Sequence, residues 1–185
     1  MISFAFRRSR SDPSIAALYG AIVAQARTPA FYRDYGVPDT VSARIDMIML
    51  HLVLVLRRLR QIPEVGASLG QQLFDWFCRD MDDNFREMGV GDLKVPKEMQ
   101  RIAGAFYGRA KVYDAALDAA DPAALAAAVA RNVFGASEPP LGARRLAAYM
   151  KEAAGRLGVQ ADAALRRAEL VFPDAAAIDH PQGAR

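Results

Sequence analysis

The chain is poor in the residues that build covalent and metal chemistry. A single cysteine, Cys78, stands in 185 residues, so no internal disulfide can form and a reducing compartment is expected. The two histidines, His51 and His180, lie far from each other and from Cys78, without the short spacings of a zinc site. No metal, no cofactor and no catalytic residue is therefore expected. Cys78 falls on the apolar arc of its helix with no histidine nearby in sequence, which fits a small buried hydrophobe better than a nucleophile. Long apolar runs are scarce too. The strongest, MIMLHLVLVL from Met47 to Leu56, would span only about 15 Å as a helix, half of a bilayer core. It reads as a buried helix of a soluble protein, with His51 as a satisfied core or edge histidine.

A broad positive surface is also missing. The pI of about 9.2 suggests a nucleic-acid binder until the charge is located. Residues 1–10 hold Arg7, Arg8 and Arg10 and no acid, while residues 11–185 balance at 21 basic against 21 acidic. A neutral body does not make the face that phosphate backbones require, so no specific nucleic-acid partner is expected. The opening MISFAFRRSRSDPS places its apolar residues before its arginines and has no long apolar core, unlike a secretory signal. It is also short for an organelle transit peptide, which leads to an expectation of a bacterial cytoplasmic protein. Phe4, Phe6, Arg7, Arg8 and Arg10 suit weak attraction to an anionic membrane surface, about 1 kcal/mol per cation. A plain solvated arm is the competing reading.

Strand signals are nearly absent, and helical punctuation recurs. SDPS opens a helix over Ser14–Arg27, which TPAFYRDYGVP breaks. Asp39 or Thr40 caps a helix to about Arg60, whose closing arginines suit a negative helix terminus. Further helices are expected over 65–88, ending at Gly89, over 96–120, opened by Pro96, and from Asp121-Pro122 to Asn132. After residue 135 the composition shifts to Ala and Arg, and helices near 143–156 and 161–171 look peripheral. At 52% hydrophobic and 24% charged residues the chain has the makings of one folded core. The expectation is an all-α, single-domain bundle of six to eight helices.

The densest segment is SLGQQLFDWFCRDMDDNFREMG. Leu73, Phe74, Phe77, Cys78, Met81, Phe85 and Met88 share one arc and should face the core. Asp75, Arg79, Asp82 and Arg86 share another, with acid-to-base pairs at 75–79 and 82–86, a solvated face in its plainest reading. Trp76, Asp80, Asp83 and Glu87 fall on a third side, which suits a partner surface or a cover by another helix. DDNFRE superficially resembles the aspartate-rich helices of isoprenoid synthases, with DAALD at 114–118 as a second acidic helix. The arginine at 86 spoils the carboxylate spacing those magnesium sites need.

MGVGDLKVPKEM follows a helix rather than a strand and lacks the Gly-Lys-Ser/Thr ending, so it is no phosphate loop. Gly89 should end a helix, Gly91 permit a second bend, and Asp92 accept from turn amides. Leu93 and Val95 are expected to pack inward as alternate residues of an extended connector. On the helix after it, Met99, Ile102, Ala103, Phe106, Ala110, Tyr113 and Leu117 form the core stripe, leaving Gly104 and Gly108 on the opposite side. Glycine inside a helix costs up to about 1 kcal/mol, so two of them want a reason. Small residues four apart admit a close helix, either from within the bundle or from a partner.

With these residues in hand, the chain resembles the ubiquinol–cytochrome c chaperone family. QQLFDWFCRDMDDNFREMGVGDLKVPKEMQRIAGAFYGRAKVYDAAL carries the likeness, supported upstream by FYRDYGVPDTVSARIDMIMLHLVLVLRRLR, together about Phe31 to Asn132. The resemblance implies an all-helical, non-enzymatic assembly factor that binds newly made cytochrome b during building of the respiratory cytochrome bc complex. A ribosome or an anionic membrane becomes a possible further partner, with the cytoplasmic face of the inner membrane as its place. On this reading residues 1–11 are a flexible basic arm, 12–135 the helical chaperone core, 136–172 peripheral helices and 173–185 a loose tail. The client surface to test is Trp76, Asp80, Asp83, Glu87, Asp92, Gly104, Tyr107, Gly108 and Arg109. An isoprenoid-diphosphate-binding enzyme and a generic helical interaction scaffold are the alternatives.

Overall fold

The structure, a computed structural model, describes residues 13–119 and 121–178. Phe4, Phe6, Arg7, Arg8, Arg10 and His180, singled out in the sequence, lie outside them. Eight α-helices follow in order among the described residues: α1 Pro13–Ala26, α2 Pro29–Arg33, α3 Val41–Leu59, α4 Gly66–Glu87, α5 Val95–Asp118, α6 Pro122–Val129, α7 Leu141–Val159 and α8 Asp162–Arg166. A π-helical turn, Ala130–Phe134, extends α6, and a 3₁₀ turn, Ala175–Ala177, lies near the end. The all-α, single-domain expectation holds.

The apolar run in α3 explains the architecture. Every residue from Met47 to Val55 is buried, so no face of that stretch meets water. A helix apolar all round must be surrounded, and α1, α4, α5 and α7 pack around it. Thr40 starts α3 by accepting from the Ala43 amide at 3.2 Å. Its closing arginines do not simply sit on their own helix terminus. Arg58 donates to the carbonyls of Leu157 (2.9 Å) and Gln160 (2.8 Å) at the end of α7 and pairs with Asp162, while Arg57 reaches Asp114 and Asp118 on α5. The cations tie three helices together.

Of the two C-terminal helices, α7 is not peripheral, which corrects the sequence reading, while α8 buries only Leu165. Leu146, Tyr149, Met150, Ala153 and Leu157 of α7 are fully buried, and α7 packs on both α3 and α6. Alanine is the reason the sequence misleads: a small side chain reads as featureless, yet it lets α6 and α7 approach closely. Gly142 shows how close the packing is. A Cβ there would lie 1.8 Å from the Tyr35 carbonyl oxygen. The expected loose tail is fixed at least to residue 178. The Tyr35 hydroxyl donates to the Ala175 carbonyl at 2.7 Å, and Arg145, stacked 4.3 Å over the Tyr35 ring, donates to the Ile178 carbonyl at 3.1 Å.

His51 is a satisfied core histidine. Burial lowers its pKa to about 4, so the ring is neutral. A neutral ring fits a single chain of hydrogen bonds: Gln25 donates to the Tyr149 oxygen (2.9 Å), Tyr149 donates to His51 Nε2 (3.0 Å), and His51 Nδ1 donates to the Met47 carbonyl (2.8 Å). The rings of Phe31, Tyr149 and Phe172 surround it at centroid distances of 5.5 Å each. Cys78 is half-buried and burial pushes its thiol up to about 11, which keeps it protonated.

Candidate functional site

The hairpin of α4 and α5 carries the residues singled out in the sequence. Leu73, Phe77, Met81 and Phe85 bury one side of α4, as the periodicity requires. Gly89 ends the helix in the left-handed conformation at φ 78°, with its amide on the Arg86 carbonyl and the Val90 amide on that of Phe85, both at 3.0 Å. That is the paired closing bond of a Schellman stop. Gly91 has no positive φ, so the second bend does not depend on glycine. Asp92 accepts from the Arg86 guanidinium at 2.6 Å rather than from turn amides.

Two apolar side chains expected inside are outside. Leu93 is 97% exposed and Met88 is 50% exposed. The connector is a turn and not an extended strand: the Lys94 amide bonds back to the Gly91 carbonyl at 2.7 Å, so in/out alternation does not apply. Val95, one residue inside α5, is buried as expected.

Along α5, Ile102, Phe106 and Tyr113 are buried, and Met99, Ala103, Ala110 and Leu117 are half-buried, as the core stripe predicts. The opposite face runs Lys97, Gln100, Arg101, Gly104, Tyr107, Gly108 and Lys111, every one exposed. Their 3- and 4-residue spacing makes one continuous strip. Added Cβ atoms at Gly104 and Gly108 would meet nothing within 4 Å, so no helix among the described residues packs there. Tyr107, 60% exposed, is held at the edge of the strip by Phe74, 5.4 Å away between ring centroids. The strip is therefore flat and uncharged at its centre and cationic at both ends.

The nine residues chosen from sequence do not form one patch. Trp76 is half-buried on α4 with the Arg79 guanidinium 5.9 Å over its ring. Asp80 sits at the α1–α4 seam, accepting from the Tyr19 hydroxyl at 2.6 Å and from Asn84 at 3.1 Å. Burial and this carboxylate push the Tyr19 phenol far above its ordinary range. Asp83 and Glu87 are exposed farther along α4. Arg109 turns away from the glycine face, onto Asp46 of α3 at 2.7 Å. Burial raises Asp46 to about 6, with Arg109 and then Arg101 working against it. Of the expected acid–base pairs, Asp82–Arg86 forms at 2.7 Å, while Asp75 accepts instead from Gln71 at 2.8 Å.

Among the described residues no group of three or more metal-ligating side chains converges, and no helix is long and apolar enough to cross a membrane. What the geometry defines is a helical bundle with an open face on one long helix. The comparisons agree. Residues 33–172 match the family model described as Ubiquinol-cytochrome C chaperone, and the chain belongs to that family. It is 38% identical to the Cbp3 homolog from Brucella abortus, whose crystal structure superposes with a TM-score of 0.83 over 91% of this chain and 93% of that one. It is 28% identical over 122 residues to ubiquinol-cytochrome c reductase complex assembly factor 1 of Mus musculus, and 25% identical over 122 residues to that of Xenopus laevis. Those matches take in 65% of this chain but only 41% and 60% of the curated relatives. The family match runs to residue 172, so the helices after 135 belong to the family's unit and are not an appendage.

Proposed function

We propose that the protein is a non-enzymatic assembly chaperone that holds newly made cytochrome b while ubiquinol–cytochrome c reductase is built, from the cytoplasmic face of a bacterial inner membrane. Family membership supports the process, and one observation carries the site: the open α5 strip of Gly104, Tyr107 and Gly108, with nothing among the described residues packed on it. A helix of the client can approach such a strip closely because no side chain intervenes. Tyr107 supplies an aromatic contact, and Leu93 and Met88 extend apolar surface at the hairpin end. Asp83, Glu87 and Asp92, exposed on the neighbouring helix and turn, flank the hairpin. Asp80 and Arg109 support the surface from behind, through Tyr19 of α1 and Asp46 of α3, and Trp76 lies half-buried on α4. The arm with Phe4, Phe6, Arg7, Arg8 and Arg10 would add attraction to anionic lipid or to a ribosome.

The isoprenoid-diphosphate reading finds little support. Three of the carboxylates it would use are held by arginines: Asp82 by Arg86, Asp114 by Arg57 and Arg60, and Asp118 by Arg57. The test is purification of a tagged copy from its own host at native level, after gentle solubilisation of membranes. Cytochrome b enriched without the mature complex is the expected result. A stoichiometric partner unrelated to respiration, with cytochrome b absent at every growth stage, would replace this reading with a generic scaffold.

A further inference from the structure

A second surface lies away from the glycine strip, where the end of α5, α6 and the start of α7 enclose an open cavity of about 520 Å³. Its floor is buried and apolar: Leu125, Ala126 and Ala147, with Leu117 and Ala148 half-buried at the sides. No acidic residue lines it. The two charges that do, Arg144 and Lys151, are both exposed on α7. Arg144 donates to the Pro139 carbonyl at 3.2 Å and has no carboxylate partner, and Lys151 pairs with none among the described residues. Farther along α7, by contrast, Arg156 pairs with Glu152 at 2.8 Å. Along this trough the positive charge is left uncompensated.

The spacing of the two cations identifies what fits. Seven residues apart on one helix, they stand two turns from each other, about 10 Å along the axis. A lipid with a single anionic head would meet one of them. An α-helix lying along α7 meets both if it carries acids seven residues apart on one flank. The alanine floor lets that helix seat its backbone closely, as helix-in-groove recognition requires. Carboxylates two turns apart are rare on a membrane-spanning helix, so the occupant is not the hydrophobic part of a membrane client. We propose that this trough docks an acidic amphipathic helix of a water-soluble partner, with its apolar face on Leu125, Ala126 and Ala147 and its acidic flank on Arg144 and Lys151. The inference is independent of the client reading, because it uses none of the residues of the glycine strip and predicts the opposite chemistry.

The experiment uses the full chain and a synthetic peptide of roughly 18 residues, long enough to form a helix. Its apolar face is alanine and leucine, and its flank bears glutamates seven residues apart; a second peptide has lysines there. Fluorescence anisotropy should show the glutamate peptide binding the native chain and weakening roughly tenfold on R144E with K151E, while the lysine peptide gains on that variant. Both side chains are exposed, so an unchanged melting curve confirms that the fold is intact. A photo-reactive residue at position 148, introduced in the host, should then crosslink to an acidic helix of a soluble protein. Failure of the glutamate peptide to bind, indifference to charge reversal, or crosslinks to phospholipid or to a membrane-spanning segment would each overturn the proposal. Since cytochrome b co-purification is unaffected by these variants if the two sites are separate, failure here leaves the client reading standing.

Discussion

Replacing Gly104 and Gly108 with alanine separates the two reasons a helix keeps glycine. Both lie in the interior of α5, neither has a positive φ, and an added Cβ meets nothing within 4 Å at either position. Nothing among the described residues opposes the change. Each substitution removes the conformational freedom glycine loses on folding, about 0.8–1.0 kcal/mol, so the pair should stabilise by about 2 kcal/mol. For 185 residues at the usual unfolding entropy of roughly 2 cal/mol/K per residue, that raises Tm by about 5 °C. Calorimetry and urea unfolding of the purified chain read this directly. In parallel, cytochrome b co-purification should fall, and fall further with leucine at both sites, although the protein stays folded. A lower Tm in the alanine pair would refute the reasoning at its base, since it would mean the strip is covered. A higher Tm with undiminished client would leave the strip open but idle.

The remaining predictions concern how the bundle holds together. His51, with its pKa lowered to about 4 from 6.5, contributes stability that is full above pH 6.5 and is lost as pH falls toward 4, about 3 kcal/mol in all. Asp46, raised to about 6, acts in the other sense, its contribution growing as pH falls through 6. Urea unfolding of Asp46→Asn should therefore lose stability more steeply between pH 6.5 and 4 than the native chain, and an equal slope in both would dismiss the opposition. Tyr19→Phe removes the bond to Asp80 and should cost about 1.5–3 kcal/mol while leaving client capture unchanged; loss of capture at equal stability would instead make Asp80 part of the client surface. Gly142→Ala forces a Cβ to 1.8 Å from the Tyr35 carbonyl, so about 1–3 kcal/mol or more should disappear, visible as a lower urea midpoint.

The long helices were legible because each rests on a local rule that nothing distant overrides. Thr40 caps α3, Gly89 stops α4, and the apolar run at Met47–Val55 had to be enclosed. The open character of Gly104 and Gly108 was only half legible: spacing shows that they share a face, but whether a helix covers it depends on where the rest of the bundle goes. Arg109 shows the same limit, since periodicity cannot say that Asp46 lies behind it. Leu93 was misplaced by applying the strand rule to a turn. The burial of α7 was missed because alanine contributes little hydrophobic signal per residue while permitting the closest packing. The acids on α4 were grouped by wheel position, yet Tyr19 of α1 decides what Asp80 does.

The strap at residues 173–178 ties the end of the described chain to its beginning. Gln25 donates to the Pro173 carbonyl at 3.4 Å and Tyr35 to that of Ala175, across 148 and 140 residues of separation. During synthesis, α1 through α6 can condense as they emerge, but the Gln25–Tyr149–His51 chain stays open until α7 is released. The strap closes the longest loops bridged by a side chain among the described residues, so its closure carries a large cost in chain entropy. A ribosome stalled before residue 173 would thus hold a nearly assembled bundle with one seam unsealed. The seam that Gln25 and Tyr35 close against the strap can therefore form only once residues 173–178 have been made.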